Sequence, residues 1–168
     1  MASPPQGQQG QHAAEPQFAE AIGEWRRDRV VGRGAHGTVY LGIVAGTGAH
    51  IAVKQISIVD ISESDLRAVA AEINLVRRAE HPYIVRYLGA EVSSSDPGFF
   101  DIFLEFVEGG SLRSHIRTHG PLAADKIAVF TRQMLLGLHY LHSSGISHRD
   151  IKGANVLVDA ELECVKLA

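Results

Sequence analysis

The sequence has little of several features, and each shortage excludes a class of protein. A single cysteine, Cys164, excludes an internal disulfide framework and is typical of a reducing compartment. No long uncharged apolar run is present, so no segment is predicted to span a membrane, and the N-terminus lacks a secretory signal pattern. A formal net charge of -3 gives no basic surface for nucleic acid. These shortages predict a soluble, cytoplasmic protein with neither a membrane span nor a nucleic-acid partner.

Residues 1–21 lack any periodic pattern of apolar residues. Pro, Gln, Gly and Ala dominate this segment, and no spacing of its side chains could bury one face. We therefore expect a disordered tail whose function cannot be read from its composition. The rest of the chain is long enough for one ordinary domain with an apolar core.

The most informative stretch is residues 148–158, which read HRDIKGANVLV. Asp150, Lys152 and Asn155 place an acid, a cation and an amide within six residues, and a short apolar strand follows. Phosphoryl transfer uses these groups, because it needs a carboxylate near the attacking hydroxyl, a cation near the phosphoryl oxygens and an oxygen ligand for a metal. Taken alone, the stretch could also be a polar surface turn that enters a strand.

The stretch resembles the catalytic loop of eukaryotic-type protein kinases, in which HRD is followed by four residues and Asn. Lys152, which stands two positions after Asp150, is similar to the serine/threonine version of that loop. The resemblance implies that Asp150 orients the hydroxyl and accepts its proton, that Lys152 neutralises the phosphoryl group, and that Asn155 binds Mg²⁺. It also implies ATP and Mg²⁺ as cofactors and a protein substrate, with a downstream kinase as one candidate.

A second pattern, GxGxxG, begins at Gly32 and is followed by a run of β-branched and aromatic residues over 38–44. The run predicts a strand, so the glycines join two antiparallel strands and do not open a dinucleotide-binding helix. An ordinary glycine hairpin is the alternative. The pattern resembles the glycine-rich loop of protein kinases, which implies contacts to ATP from Gly32, Arg33, Gly34, Ala35, His36, Gly37 and Val39.

Residues 51–58 alternate as a strand does, which places Ala52 and Lys54 on one face. Apolar spacing predicts a helix over 62–78, with Glu72 at the edge of its apolar stripe. The kinase resemblance implies that Lys54 binds the α and β phosphates and pairs with Glu72, and that Ala52 lies over adenine. Without that resemblance, Lys54 would be an exposed strand lysine and Glu72 a solvated carboxylate.

The apolar stretch 99–107 ends at a Gly-Gly turn. The resemblance places Leu104 at the gatekeeper position of the adenine pocket and residues 105–107 in the hinge between two lobes. It implies that the backbones of Glu105 and Val107 recognise adenine, and that Leu157 also belongs to the ATP site.

A second amphipathic helix is predicted over 121–142, with apolar residues at spacings of three and four. His139 and His142 lie on that helix without the further ligands that a closed metal site needs, so a structural role is favoured over metal binding. Two short strands are predicted over 156–158 and 165–167.

Together these patterns predict an α+β fold like that of protein kinases. Residues 22–107 are expected to form the small lobe and hinge, with an antiparallel five-stranded sheet and the kinase C-helix. Residues 108–168 are expected to begin the mainly helical large lobe. The resemblance covers only the N-terminal half of a kinase domain and stops before the Asp-Phe-Gly motif. We therefore expect negligible phosphotransferase activity from this chain alone.

The first functional hypothesis is an enzyme: part of a signalling serine/threonine protein kinase that transfers the γ phosphoryl group of ATP. Residues 105–112 and 148–159 resemble the mitogen-activated protein kinase kinase kinase branch, which is STE-like. The alternatives are a non-catalytic nucleotide-binding or regulatory fragment, and an incomplete record of a longer chain. Asp150 favours the enzyme, because a pure binding module has no chemical need for it.

Overall fold

The computed structural model describes residues 22–34, 37–59, 73, 77–93 and 95–168. The elements in chain order are β1 (Trp25–Gly34), β2 (Gly37–Val44), β3 (His50–Ser57), β4 (Tyr87–Val92), β5 (Phe99–Glu105), α1 (Leu112–His119), α2 (Ala124–Ser143), β6 (Val156–Val158) and β7 (Val165–Leu167). Of the helix predicted over 62–78, the structure describes Ile73, which is helical and buried, and residues 77 and 78, which form a turn.

The first five strands form one antiparallel sheet with the order β1-β2-β3-β5-β4. β3 lies at its centre, where Lys54 is opposite Val39 of β2 and Ile102 of β5. The sheet, followed by helices, confirms the predicted α+β class. Lys54 lies on the central strand, with a paired strand on each side.

The two faces of β3 differ in burial, as the alternation of the sequence predicts. Ile51 and Val53 are buried on one face, which we call the closed face. Ala52 and Lys54 are only half-buried on the other, the open face. On the closed face, the Trp25 ring packs edge-on against Phe103 with a centroid separation of 5.5 Å. The open face is less buried around Ala52 and Lys54, whereas Phe100, further along the same face, is buried in a cluster with Ile73 and Ala90.

The closed face also contains a polar pair that the sequence analysis did not find. Gln55 Nε2 donates a hydrogen bond of 3.0 Å to Oδ1 of Asp101. Asp101 is fully buried, and its Oδ2 atom has no hydrogen-bond partner among the described residues. A carboxylate in this position costs free energy, because burial removes its hydration without a complete replacement.

The region after β5 has a core of its own, built from α2 and the hairpin of β6 and β7. Phe130 and Leu141 of α2 are buried in one cluster with four hairpin residues, Val156, Val158, Val165 and Leu167. Ile127, which the predicted apolar stripe included, is 50% exposed. No helix among the described segments is long and apolar enough to cross a membrane.

Two features of this region differ from the prediction. Helix α2 begins at Ala124, three residues after the predicted start at Pro121, because Ala123 is still extended with ψ of 152°. Helix α1 was not predicted at all, although its signals are present: Ser111 Oγ accepts a hydrogen bond from Ser114 N, and Gly120 ends the helix with φ of 88°.

Candidate active site

The catalytic-loop residues predicted from the sequence are brought together around one carboxylate. Asp150 Oδ2 accepts hydrogen bonds from Lys152 Nζ and Asn155 Nδ2, each at 2.7 Å. Asn155 Nδ2 also donates to the backbone oxygen of Asp150 at 2.9 Å. The Asp150 and Lys152 side chains are 53% and 55% exposed. The group is therefore ordered by its own contacts and remains open to a second molecule.

The backbone around this group is fixed by bonds to neighbouring segments. Gly153 O accepts from the backbone N–H of Arg113 in α1 at 2.7 Å, and Asn155 O accepts from Ala168 N at 2.9 Å. Arg149 has φ of 63°, a left-handed conformation that is uncommon for a residue with a side chain. Strain of this kind persists only where the surrounding contacts determine the backbone, and such sites cluster at functional positions.

The electrostatics of the loop favour an ionised Asp150. The hydrogen bond from Lys152, followed by that from Asn155, lowers the pKa of Asp150 below its ordinary value of 3.8. At neutral pH the carboxylate is charged, so it can accept a hydrogen bond from a hydroxyl group. Lys152 provides a positive charge beside the same position.

The predicted nucleotide-binding residues of the sheet lie in neighbouring rows. Gly32, Val39 and Lys54 are opposite one another across β1, β2 and β3. In the adjacent row, Ala52 of β3 is opposite Leu104 of β5. The side chains at these positions, apart from Gly32, which has none, alternate with the buried ones of the closed face and therefore share the open face of the sheet.

The turn between β1 and β2 depends on glycine at one position. A Cβ atom at Gly37 would lie 2.1 Å from the backbone oxygen of Gln55, and Gly37 has φ of 129°. Any other residue is excluded both by the close approach and by the backbone conformation. Gly34, opposite Gly37, has open space around the same position. Ala35 and His36 lie outside the described residues.

The predicted hinge leads directly onto the β6–β7 hairpin. Gly110 O accepts a hydrogen bond from Val158 N at 2.8 Å, and Ser111 forms a bridge with Leu157. A Cβ at Gly109 would lie 2.3 Å from the backbone oxygen of Asp159. The close backbone contact brings the half-buried Leu157 next to the end of the hinge, and its role in the ATP site stays a prediction.

The described residues include one candidate ligand for the predicted magnesium, Asn155. Because Asn155 uses its Nδ2 group for Asp150, its Oδ1 atom is the side-chain atom suited to a metal. Mg²⁺ prefers octahedral oxygen coordination, and the described segments contain no group of three or more acidic, His or Cys side chains that could hold a metal. One ligand alone does not make a metal site.

Residues 25–168 match the protein kinase domain family. The chain belongs to the protein kinase family. This kinase chain is 44% identical over 150 residues to the Mitogen-activated protein kinase kinase kinase ANP1 of Arabidopsis thaliana, a match that covers 86% of the chain and 22% of the relative. It is 42% identical over 143 residues to the Mitogen-activated protein kinase kinase kinase A of Dictyostelium discoideum, covering 82% and 15%. The chain thus spans less than a quarter of these relatives' length.

The kinase fold is also found in a solved structure. The crystal structure of Rad53 1–466 in complex with AMP-PNP is similar with a TM-score of 0.74 and 35% sequence identity, over 86% of this chain and 37% of that one. The family and the fold predicted from the catalytic loop and the glycine loop are therefore confirmed. The relatives are enzymes by name, of the mitogen-activated protein kinase kinase kinase type.

Several predicted residues remain predictions. Glu72 lies outside the described residues, so its ion pair with Lys54 is an expectation. Burial, reinforced by Asp159, raises the pKa of Cys164, which fits the packing role expected of this thiol.

The sequence analysis missed a role for the Glu105 side chain. It was expected to act through its backbone, whereas its carboxylate forms an ion pair with Lys166 of β7. No local pattern relates these two residues, because they become neighbours only when the hairpin of β6 and β7 packs below the hinge.

Proposed function

We propose that this chain is the nucleotide-binding and catalytic-loop part of a serine/threonine protein kinase of the mitogen-activated protein kinase kinase kinase type. Its reaction is the transfer of the γ phosphoryl group of ATP to a hydroxyl group of a protein substrate. The observation that carries the proposal is the Asp150 carboxylate, bonded at 2.7 Å by both Lys152 and Asn155. Its relatives support the same assignment through their names.

The proposed mechanism divides the work between the open face of the sheet and the loop. Lys54 would bind the α and β phosphates, and Ala52 would lie over adenine, with Val39 beside the nucleotide. The backbones of Glu105 and Val107 would contact the edge of adenine. Asp150 would accept a hydrogen bond from the attacking hydroxyl and then its proton. Lys152 would stabilise the negative charge of the phosphoryl oxygens. Magnesium, when bound, would supply the remaining neutralisation of that charge.

Nucleotide binding is tested first on the 168-residue chain, by calorimetric titration with AMP-PNP. Lys54→Met should weaken binding at least about tenfold, because a hydrogen bond to a charged group contributes roughly 1.5–3 kcal/mol. Arg26→Met, which removes a positive charge from an exposed position on β1 of the same sheet, is the matched control and should leave the affinity unchanged. Equal affinities for wild type and Lys54→Met would contradict the proposed site.

Transfer is tested on the wild type and the Asp150→Asn variant, each expressed in the natural source of the protein, with radiolabelled ATP and peptides that contain serine or threonine. Asp150→Asn should abolish incorporation of phosphate while AMP-PNP binding is retained. Loss of both properties would indicate a folding defect and would be resolved by the thermal unfolding of the variant. Transfer that survives the substitution would overturn the role of Asp150.

A non-catalytic nucleotide-binding module is the second candidate. For the 168 residues alone, this candidate is favoured by the small number of metal ligands. Asn155 is the single predicted ligand, and the described part of the chain contains no metal-binding cluster. We expect this chain to bind AMP-PNP without measurable turnover of ATP. Magnesium-dependent turnover by the 168 residues, abolished by Asp150→Ala, would exclude the module.

A further inference from the structure

The Glu105 side chain connects three segments that are distant in sequence. Its Oε2 atom accepts a hydrogen bond of 3.0 Å from the backbone N–H of Arg86, which directly precedes β4. The same carboxylate forms an ion pair through Oε1 with Lys166 Nζ of β7. The Glu105 backbone N–H donates to Arg86 O at 2.9 Å. Both the backbone and the side chain of this hinge residue are therefore fixed.

Strand β7 is bonded to the same region along its other edge. Leu167 N donates to Tyr83 O at 2.9 Å, and Leu167 O accepts from Val85 N at 2.8 Å. Residues 83–86, which precede β4, thus lie between β7 and the hinge. The Glu105–Lys166 pair closes this arrangement, because it joins the hinge directly to the strand that packs on α2.

The pair borders a polar cavity and not an apolar core. An open cavity of about 520 Å³ is lined by Glu80, His81, Arg86, Glu105 and Lys166. The Lys166 and Glu105 side chains are 26% and 20% exposed. A polar replacement of either residue can therefore be solvated, and its effect reports the lost ion pair and not a cavity in the core.

We propose that Glu105 and Lys166 are positioning residues that set the nucleotide affinity of the kinase. Their ion pair fixes the hinge backbone against β7, so that the backbone groups expected to contact adenine are preorganised before the nucleotide arrives. This inference rests on the proposed function, because it assumes that the hinge binds adenine. Neither side chain contacts the nucleotide; both act through the position of the Glu105 backbone.

A purely structural ion pair makes a different prediction. A partly exposed pair contributes little to stability, so its removal would lower the melting temperature slightly and leave the dissociation constant of the nucleotide unchanged. A positioning pair changes the dissociation constant in variants that remain folded. The two residues should also be coupled, since each acts only through the other.

The experiment is a double-mutant cycle on the 168-residue chain, with the AMP-PNP dissociation constant as the readout. Glu105→Gln keeps an oxygen that can accept from Arg86 N and removes only the charge, and Lys166→Gln removes the other partner. Each single substitution should weaken binding about fivefold, the lower end of typical coupling between sites. The double variant should bind no more weakly than either single variant. Lys166→Arg, which keeps the charge, should restore the wild-type affinity.

Asp28→Asn is the matched control, because it breaks the exposed Asp28–Arg29 pair of β1 and should not change the affinity. Hydrogen exchange supplies a second readout: the backbone amides of Glu105 and Leu167 should exchange faster in Glu105→Gln, whereas those of β2 should not. Unchanged affinities in both single variants, with the wild type binding AMP-PNP, would overturn this inference alone. A wild-type chain that does not bind AMP-PNP would overturn the proposed nucleotide site and this inference with it.

Discussion

The five-stranded sheet and the loop at residues 148–155 are ordered by different forces. In the sheet, Val53 and Phe103 are buried and lie opposite each other on paired strands. Residues far apart in sequence become neighbours there through strand pairing. In the loop, Asp150 and Lys152 are more than half exposed and are joined by polar bonds over a few residues. The difference teaches that substitutions in the sheet should change global stability, while those in the loop should change local chemistry.

The largest effect is expected in the closed face of the sheet. Phe103→Ala removes a buried ring that packs against Trp25, and it should lower the free energy of unfolding by about 4 kcal/mol. Urea denaturation followed by Trp25 fluorescence would measure the change. Phe99→Ala, at the half-buried start of the same strand, should cost roughly half as much or less. Equal losses in the two variants would contradict the expectation that the loss of stability follows the burial of the ring.

A smaller loss is expected at the end of the β1–β2 hairpin. Gly37→Ala places a Cβ against Gln55 O in a conformation unfavourable for L residues, and it should destabilise the chain by about 3 kcal/mol. Gly34→Ala is the control for stability, because no atom lies within 4 Å of the added Cβ. Thermal unfolding of both variants checks the difference. A stable Gly37→Ala chain would show that the hairpin can shift away from β3.

Asp101 is an expected exception to the stabilising effect of burial in the sheet. Asp101→Asn keeps an acceptor for Gln55 and removes a charge from a fully buried position, so we expect a gain of about 1 kcal/mol. Asp28→Asn, at the surface, should change the stability by less than about 0.5 kcal/mol. Chemical denaturation of the two variants provides the comparison, and a clear loss for Asp101→Asn would show that the native fold requires the second oxygen.

The smallest effect on stability is expected for the loop, where pH is the probe. Because the pKa of Asp150 is lowered in the folded chain, its bonds are intact above the ordinary value of 3.8 and are lost as the pH falls through the lowered pKa. Titration of the Asp150 carboxyl carbon by NMR should show this pKa. Lys152→Met should raise it more than Asn155→Ala does. If the amide signals of β3 moved together with this titration, the loop would not be independent of the sheet.

The same difference explains which features the sequence predicts. Asp150, Lys152 and Asn155 lie within six residues, and their chemical types and order indicated the loop before any contact was known. The strand of Lys54 followed from alternation, and the glycine hairpin followed from the strand-like run after it. In each case the determining interactions are local or periodic.

The features that escaped prediction depend on contacts between distant parts of the chain. The Gln55–Asp101 bond joins residues 46 positions apart, and Asp101 in an apolar run gave no sign of its burial. Glu105 was interpreted through its backbone because its partner, Lys166, is on another strand. Helix α1 is different, since Ser111 and Gly120 were available as local signals for its ends.

The strand order has a consequence for the synthesis of the chain on the ribosome. β1, β2 and β3 are consecutive in the chain and pair with one another, whereas the second edge of β3 pairs with β5. On these two strands, Asp101 follows Gln55 by 46 residues. At roughly 5–20 residues per second, translation leaves that edge unpaired for about 2–9 s. An unpaired apolar strand is a template for association with other chains. The central strand of the finished sheet is thus exposed to association with other chains while the protein is being synthesised.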